Sequence, residues 1–232
     1  MARHHIMQIV PRSLNLDAIY SQGFDAVVLT REHYAMLKSV LATTQWVADP
    51  EGMFSAIPDW QHKSVSNFSL KAEAEQASNR EGLERAPAIL QQAASDLLTS
   101  EALMGSWLLA FDFEVKFLSL WDGAEPLDWH WDGPANADFF FLIYLNETPG
   151  WQDQKGGRLL TGERSLTGNY LRTQDAPVKL KETIAPAQRT LVCCNNQNPR
   201  FVHKVEGLTA GDQRRVLMIG FDAIASLKGQ RH

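Results

Sequence analysis

Residues 127–146 read LDWHWDGPANADFFFLIYLN, two short β-rich runs separated by turn residues. The first run carries His130 and Asp132 two positions apart, so on an extended strand both side chains leave the same face. The second is rich in aromatic and β-branched residues, the composition that packs on a pleated surface. The same texture recurs on either side: WLLAFDFEVKFLSLW from Trp107, GGRLL from Gly156, RTLVCCN from Arg189, RFVHKVEGL from Arg200 and RRVLMIGF from Arg214. Many short strands in succession, with helices gathered at one end of the chain, predict a mainly β fold with α: a double-sheet jelly roll with helical support rather than a doubly wound α/β sheet.

Upstream of Ser106 the chain reads mainly helical. Residues 23–29 (GFDAVVL) form a short strand, after which Thr30 caps a helix carrying Tyr34, Leu37, Val40 and Leu41 on one face. From Trp46 to Ser69 the sequence passes Pro50, Gly52 and Pro58 without a period and is expected to be a loop-rich excursion that forms part of a lid. A second helical zone spans Asn79 to Met104, starting afresh at Pro87, with Ile89, Leu90, Ala93, Leu97 and Leu98 at helical spacing.

The chain has 232 residues, 44% of them hydrophobic, enough for one domain with a substantial core and short for two. Its 22 basic and 27 acidic residues give a formal charge of -5 without long single-sign runs, which argues against nucleic acid or an anionic membrane as partner. Cys193 and Cys194 are adjacent, point to opposite faces of a strand, and fit neither a shared metal site nor a relaxed disulfide. A reducing, cytoplasmic setting is expected, with no membrane span.

The chemistry lies in the polar residues of the strands. His130 and Asp132 can grip one ion together, and His203, in a further β-like run, closes the set if the two strands face each other across a barrel mouth. Two imidazoles and one carboxylate on one face of an octahedron leave three positions open on Fe(II), as oxygen chemistry requires. An H-x-D pair alone does not separate this from a structural histidine with ordinary partners. Trp129 and Trp131 flank His130 and should point away from the metal face into packing. Asn195 and Asn196 are expected to shape the turn with Pro199, and Arg200 to be solvated. His4, His5, His33, His62 and His232 lack ligand spacing.

The segments DWHWDG, FFFLIYLNE, KGGRLLTG, IAPAQRTLVCCNN and FVHKVEGLTAGDQRRVLMIGF follow one another in the order and spacing of the 2-oxoglutarate and iron(II)-dependent oxygenases. From about Ser106 to Asp222 the chain resembles the prolyl-hydroxylase-like branch of that family. The resemblance implies a double-stranded β-helix core over 106–222 within one domain spanning 1–232, with 1–105 as helical support and lid. It implies iron(II) held by His130, Asp132 and His203, with 2-oxoglutarate and dioxygen as co-substrates. Tyr144 to Asn146 and Gly156 to Leu159 match segments that serve the fold.

It further implies a buried arginine about ten residues after the distal histidine, meeting the far carboxylate of 2-oxoglutarate with paired charge-assisted hydrogen bonds. Arg214 and Arg215 both qualify and face opposite ways. Counting back from Phe221, Arg215 shares a face with Leu217 and Ile219, and is expected to be the anchor, with Arg214 a solvated edge residue. The expected reaction is hydroxylation of a small molecule, such as an amino acid or a biosynthetic intermediate. The alternatives are a peptidyl or carrier-tethered substrate, and a non-redox cupin-like metal protein. Because Asp132 keeps the carboxylate, halogenation is disfavoured.

Overall fold

The computed structural model describes residues 9–43, 47–48, 66–69, 88–123, 126–133, 137–146, 151–166, 176–209, 212 and 214–225. Helix α1 (Leu16–Gln22) leads into β1 (Phe24–Val28), α2 (Arg31–Thr43), β2 (Val47–Ala48) and β3 (Ser66–Ser69). Three helices follow: α3 (Ala88–Leu98), α4 (Glu101–Met104) and α5 (Trp107–Ala110). The remaining strands are β4 (Phe111–Gly123), β5 (Leu127–His130), β6 (Phe139–Tyr144), β7 (Leu159–Arg164), β8 (Val178–Ile184), β9 (Thr190–Asn195), β10 (Phe201–Val205) and β11 (Arg214–Ala225).

The strands form two antiparallel sheets. The larger runs β1-β9-β6-β11-β4-β3-β2, the smaller β5-β10-β7-β8. One face of the larger sheet is covered by helices: Leu37, Leu90, Leu97 and Trp107 pack on Phe139, Phe141, Ile143, Leu217, Ile219 and Phe221. Its other face meets the smaller sheet through Phe117, Phe140, Leu142, Tyr144, Val216 and Met218. The central strands are therefore buried on both sides, and β6 is buried at all six positions. Successive Phe139, Phe140 and Phe141 alternate between the two cores, as a period of two requires.

Local chemistry explains the N-terminal elements. Asn15 Oδ1 accepts the Ala18 N–H at 3.1 Å and caps α1, while Gly23, at φ 91°, ends it by returning its N–H to Ile19 O. A Cβ at Gly23 would lie 2.3 Å from Phe201 Cβ, so this stop doubles as a close approach to β10. Thr30 Oγ accepts from His33 N–H at 3.1 Å and starts α2, whose Tyr34, Leu37 and Val40 are buried. Arg12 clamps buried Asp25 of β1 with two 2.6 Å hydrogen bonds, and Asn15 N–H donates a third to the same carboxylate.

Three sequence expectations change. The sequence predicts strand throughout the run from Trp107, but its first four residues form α5 because Trp107 turns into the helix-side core against Phe139 and Phe221. Strand β8 is not among the expected β-rich runs, although its Val-Lys-Leu-Lys alternation, with both lysines exposed, is the signature of an edge strand. Helix α1 was not singled out, although Asn15 and Gly23 mark its ends. Of the expected lid, only β2 and β3 lie among the described residues, and residues 79–87 of the second helical zone lie outside them. No helix among the described residues is long and apolar enough to cross a membrane.

Candidate metal centre and buried arginine

His130 is the last residue of β5, and His203 lies directly opposite it in the antiparallel ladder with β10. The two strands are hydrogen-bonded neighbours in the smaller sheet. The expectation that they face one another across a barrel mouth is corrected in this respect, because direct cross-strand pairing is the shorter route to convergence. The imidazole centroids stand 4.0 Å apart. Asp132, two residues past His130, places Oδ1 3.6 Å from His130 Nε2 and Oδ2 3.6 Å from His203 Nε2. One donor atom from each of the three residues lies within 4.8 Å of the others, the single such group among the described residues.

These donors fit a divalent ion. His130 Nδ1 is 2.7 Å from Asp128 O, and the proton donated there leaves the Nε2 lone pair aimed at the common point. His203 is walled by Phe201 and Phe140, with ring centroids 5.7 and 5.8 Å away. Burial holds its pKa well below the ordinary value, assisted by the positive end of His130, so the ring is neutral at pH 7 and has a lone pair to give. Burial raises Asp132, with His130 pulling the other way. A carboxylate drawn from water in this manner calls for a cation. Donors about 2.1 Å from one ion sit about 3 Å apart on adjacent octahedral vertices, so both 3.6 Å separations need contract only by about half an ångström.

The burial expected of the two arginines is reversed in the structure. Arg214, at the start of β11, is 2% exposed. Its Nη1 donates to Gly157 O at 3.0 Å and Glu206 O at 3.1 Å, and its guanidinium lies 5.5 Å from the centre of the Trp121 ring. It shares the inter-sheet face with Val216 and Met218. Arg215 is exposed, and its backbone N–H donates to Asn146 Oδ1 at 3.3 Å. Arg215 does alternate in phase with Leu217, Ile219 and Phe221, but that phase faces the helices while the histidines face the smaller sheet. The Glu206 carbonyl that accepts from Arg214 is three residues beyond His203, about 10 Å of extended chain.

The remaining candidates fall as follows. Trp131 donates its indole N–H to Asn196 O at 2.8 Å and stacks under Arg164 at 4.9 Å, while the Trp129 ring lies against Gly162. Asn195 and Asn196 are both buried: Asn195 Oδ1 accepts from Gln197 N–H and Asn196 Nδ2 donates to Ala137 O. Cys193 belongs to the helix-side core and Cys194 to the inter-sheet core, both fully buried and unpaired as a disulfide. Sequence reasoning missed the Asp128 carbonyl as the partner that orients His130, which no side-chain pattern announces.

No protein-family model matches the sequence, and no curated protein matches it. Solved structures do. An oxidoreductase of the 2OG-Fe(II) oxygenase family from Burkholderia pseudomallei matches with a TM-score of 0.54 at 13% identity, over 93% of this chain and 94% of that one. The non-heme alpha ketoglutarate dependent epimerase SnoN from nogalamycin biosynthesis matches with a TM-score of 0.53 at 12% identity, over 92% of this chain and 84% of that one. The chain shares their fold, the double-stranded β-helix formed by its two facing sheets.

Proposed function

We propose that the protein is an iron(II)- and 2-oxoglutarate-dependent dioxygenase that hydroxylates an unactivated carbon of a small molecule, releasing succinate and carbon dioxide. The observation that carries this reading is the convergence of His130, Asp132 and His203 on one point in the inter-sheet space, with Arg214 buried on the facing wall. Iron(II) bound there would supply the oxygen chemistry, with three positions left for co-substrate and dioxygen.

The chain's own residues supply the rest. Asp128 O fixes the tautomer of His130, burial keeps His203 neutral, and Asp132 contributes the one anionic ligand. Arg214 is the residue that meets the distal carboxylate of 2-oxoglutarate, replacing Arg215 in that role: a fork held by two backbone carbonyls is oriented before the ligand arrives. Phe140, Phe201 and Tyr144 line the space with apolar surface that excludes water.

The test is succinate formation under air from 2-oxoglutarate with iron(II), compared between the native chain and Asp132→Ala. The native protein should form succinate, slowly without substrate and faster with it, and the variant should form none and lose bound iron. Turnover by Asp132→Ala with undiminished iron content would refute the ligand assignment. A native chain that forms no succinate with any candidate substrate would favour a non-redox metal protein on the same scaffold.

A further inference from the structure

A second feature lies outside the metal centre and the Arg214 wall. Where β7 ends and β8 begins, Glu163, Arg164, Leu166, Val178, Lys179 and Arg200 line a cavity of about 460 Å³, the size of a small-molecule site. It opens at the end of the smaller sheet where the histidines sit. Thr161 pairs with His203 and Glu163 with Phe201, so Arg164 is three residues along β7 from the His203 row, about 10 Å. The cavity also adjoins the metal loop: the Arg164 guanidinium stacks on Trp131, the residue between His130 and Asp132.

Its charge is one-sided. Among the described residues, three cations, Arg164, Lys179 and Arg200, line it against the single carboxylate of Glu163. That carboxylate already takes a 2.7 Å ion pair from Lys181 and a longer 3.6 Å contact from Arg200, whose side chain is 64% exposed. Lys181 first, then Arg200 and Lys179, hold the Glu163 carboxyl below its ordinary range. Leu166 and Val178 add an apolar wall, which suits a carbon body attached to the anionic group.

We propose that this cavity is an anion subsite for the substrate, taking a carboxylate or phosphate group of the molecule whose carbon is oxidised at the His130, Asp132 and His203 centre. The proposal rests on the oxygenase reading for the word substrate, but the anion site itself stands on the cavity and its cations. The distance of about 10 Å to the His203 row requires that the anionic group and the reacting carbon be separated by several bonds.

The experiment is a titration of the full chain followed in proton–nitrogen spectra at the Trp131 indole N–H and the Arg200 Nε–H. The probes are inorganic phosphate and butanoate, with butanamide as the neutral control, at low ionic strength. It is run with zinc and 2-oxoglutarate present and again without them. At least one anion should shift both signals saturably in either condition, and whichever binds tighter identifies the group. Lys179→Gln combined with Arg200→Gln should weaken that binding by on the order of ten-fold, a modest loss because exposed charges are screened. Glu163→Gln should strengthen it by about two- to three-fold, a gain that misfolding cannot mimic.

A response to neither anion, an equal response to butanamide, or affinities unchanged in both variants overturns the proposal. Succinate formation is scored separately. If it is seen while anion binding is not, only the subsite falls. If the anion binds by these criteria and no succinate is made, the oxygenase reading falls while the binding site remains.

Discussion

Replacing Arg214 tests the proposal that this residue, and not Arg215, anchors 2-oxoglutarate. Its guanidinium is 2% exposed and donates to Gly157 O and Glu206 O. Removing one partner of a buried, hydrogen-bonded charge pair costs about 2–5 kcal/mol in binding. At about 1.4 kcal/mol per ten-fold, Arg214→Gln should raise the KM for 2-oxoglutarate by about 30-fold to several thousand-fold. Arg214→Lys keeps the charge but loses the planar fork, and should raise it by about ten-fold or more. Arg215→Gln, at an exposed position, should leave it within about two-fold.

The same substitution has a structural cost, because two backbone carbonyls lose their donor at about 1–3 kcal/mol for each buried group left unsatisfied. The assay is therefore succinate formation against 2-oxoglutarate concentration, at a temperature where circular dichroism shows each variant folded. A binding role predicts a raised KM with kcat at saturation largely kept. A merely structural role predicts a lower melting point with KM unmoved. A KM within two-fold of native in Arg214→Lys, or a large rise in Arg215→Gln, would refute the assignment.

Further consequences follow from burial and close contact. Cys193 and Cys194 are fully buried, with thiols pushed well above their ordinary value by burial, so neither should react with a thiol reagent at pH 8 until denaturant is added; labelling of the native chain would contradict their placement. A Cβ at Gly220 would stand 2.0 Å from the Phe117 ring, so Gly220→Ala should cost about 1–3 kcal/mol and lower the melting point by several degrees; an unchanged melt would mean that Phe117 yields freely. In metal-free protein, the unfolded chain protonates His203 near the ordinary histidine value of about 6.5 while the folded chain does not, so its contribution to stability is present above that pH and is lost as pH falls through it toward the depressed folded value. Asp132, raised by burial, carries the opposite sign, so the difference in stability slope between native and His203→Gln isolates the histidine; equal slopes would count against its burial as a neutral ring.

How far the sequence alone carried depends on how many faces of each element are buried. Helix α2 was readable because it has one buried stripe and a capping threonine, and the metal pair because His130, the last residue of β5, and Asp132, two residues past it, are close enough in sequence to reach one point. Thr30, Asn15 and Gly23 act on backbone groups within a few residues, so their effect is fixed before any tertiary contact forms. The meeting of His203 with His130 is different in kind: it depends on a ladder between strands separated by more than seventy residues, and only the resemblance to known oxygenases brought them together in advance. The Asp128 carbonyl that orients His130 is a backbone group, invisible to any pattern of side chains.

The two arginines show why a correct alternation can still leave open which of them is buried. From Val216 to Phe221 every residue of β11 is buried, so the strand carries no polar face to say which side is solvent. Arg215, Leu217, Ile219 and Phe221 do lie in phase, and the phase is apolar because it packs under the helices. Arg214 lies in phase with Val216 and Met218, which are equally apolar because they face the smaller sheet. Hydrophobicity cannot distinguish these two interiors; only the side on which His130 and His203 arrive does. In a sheet covered on both faces, a charged residue must therefore be assigned by the face that holds its chemical partners, and a buried arginine with two backbone acceptors and an aromatic ring beneath it marks that face more firmly than a closing phenylalanine.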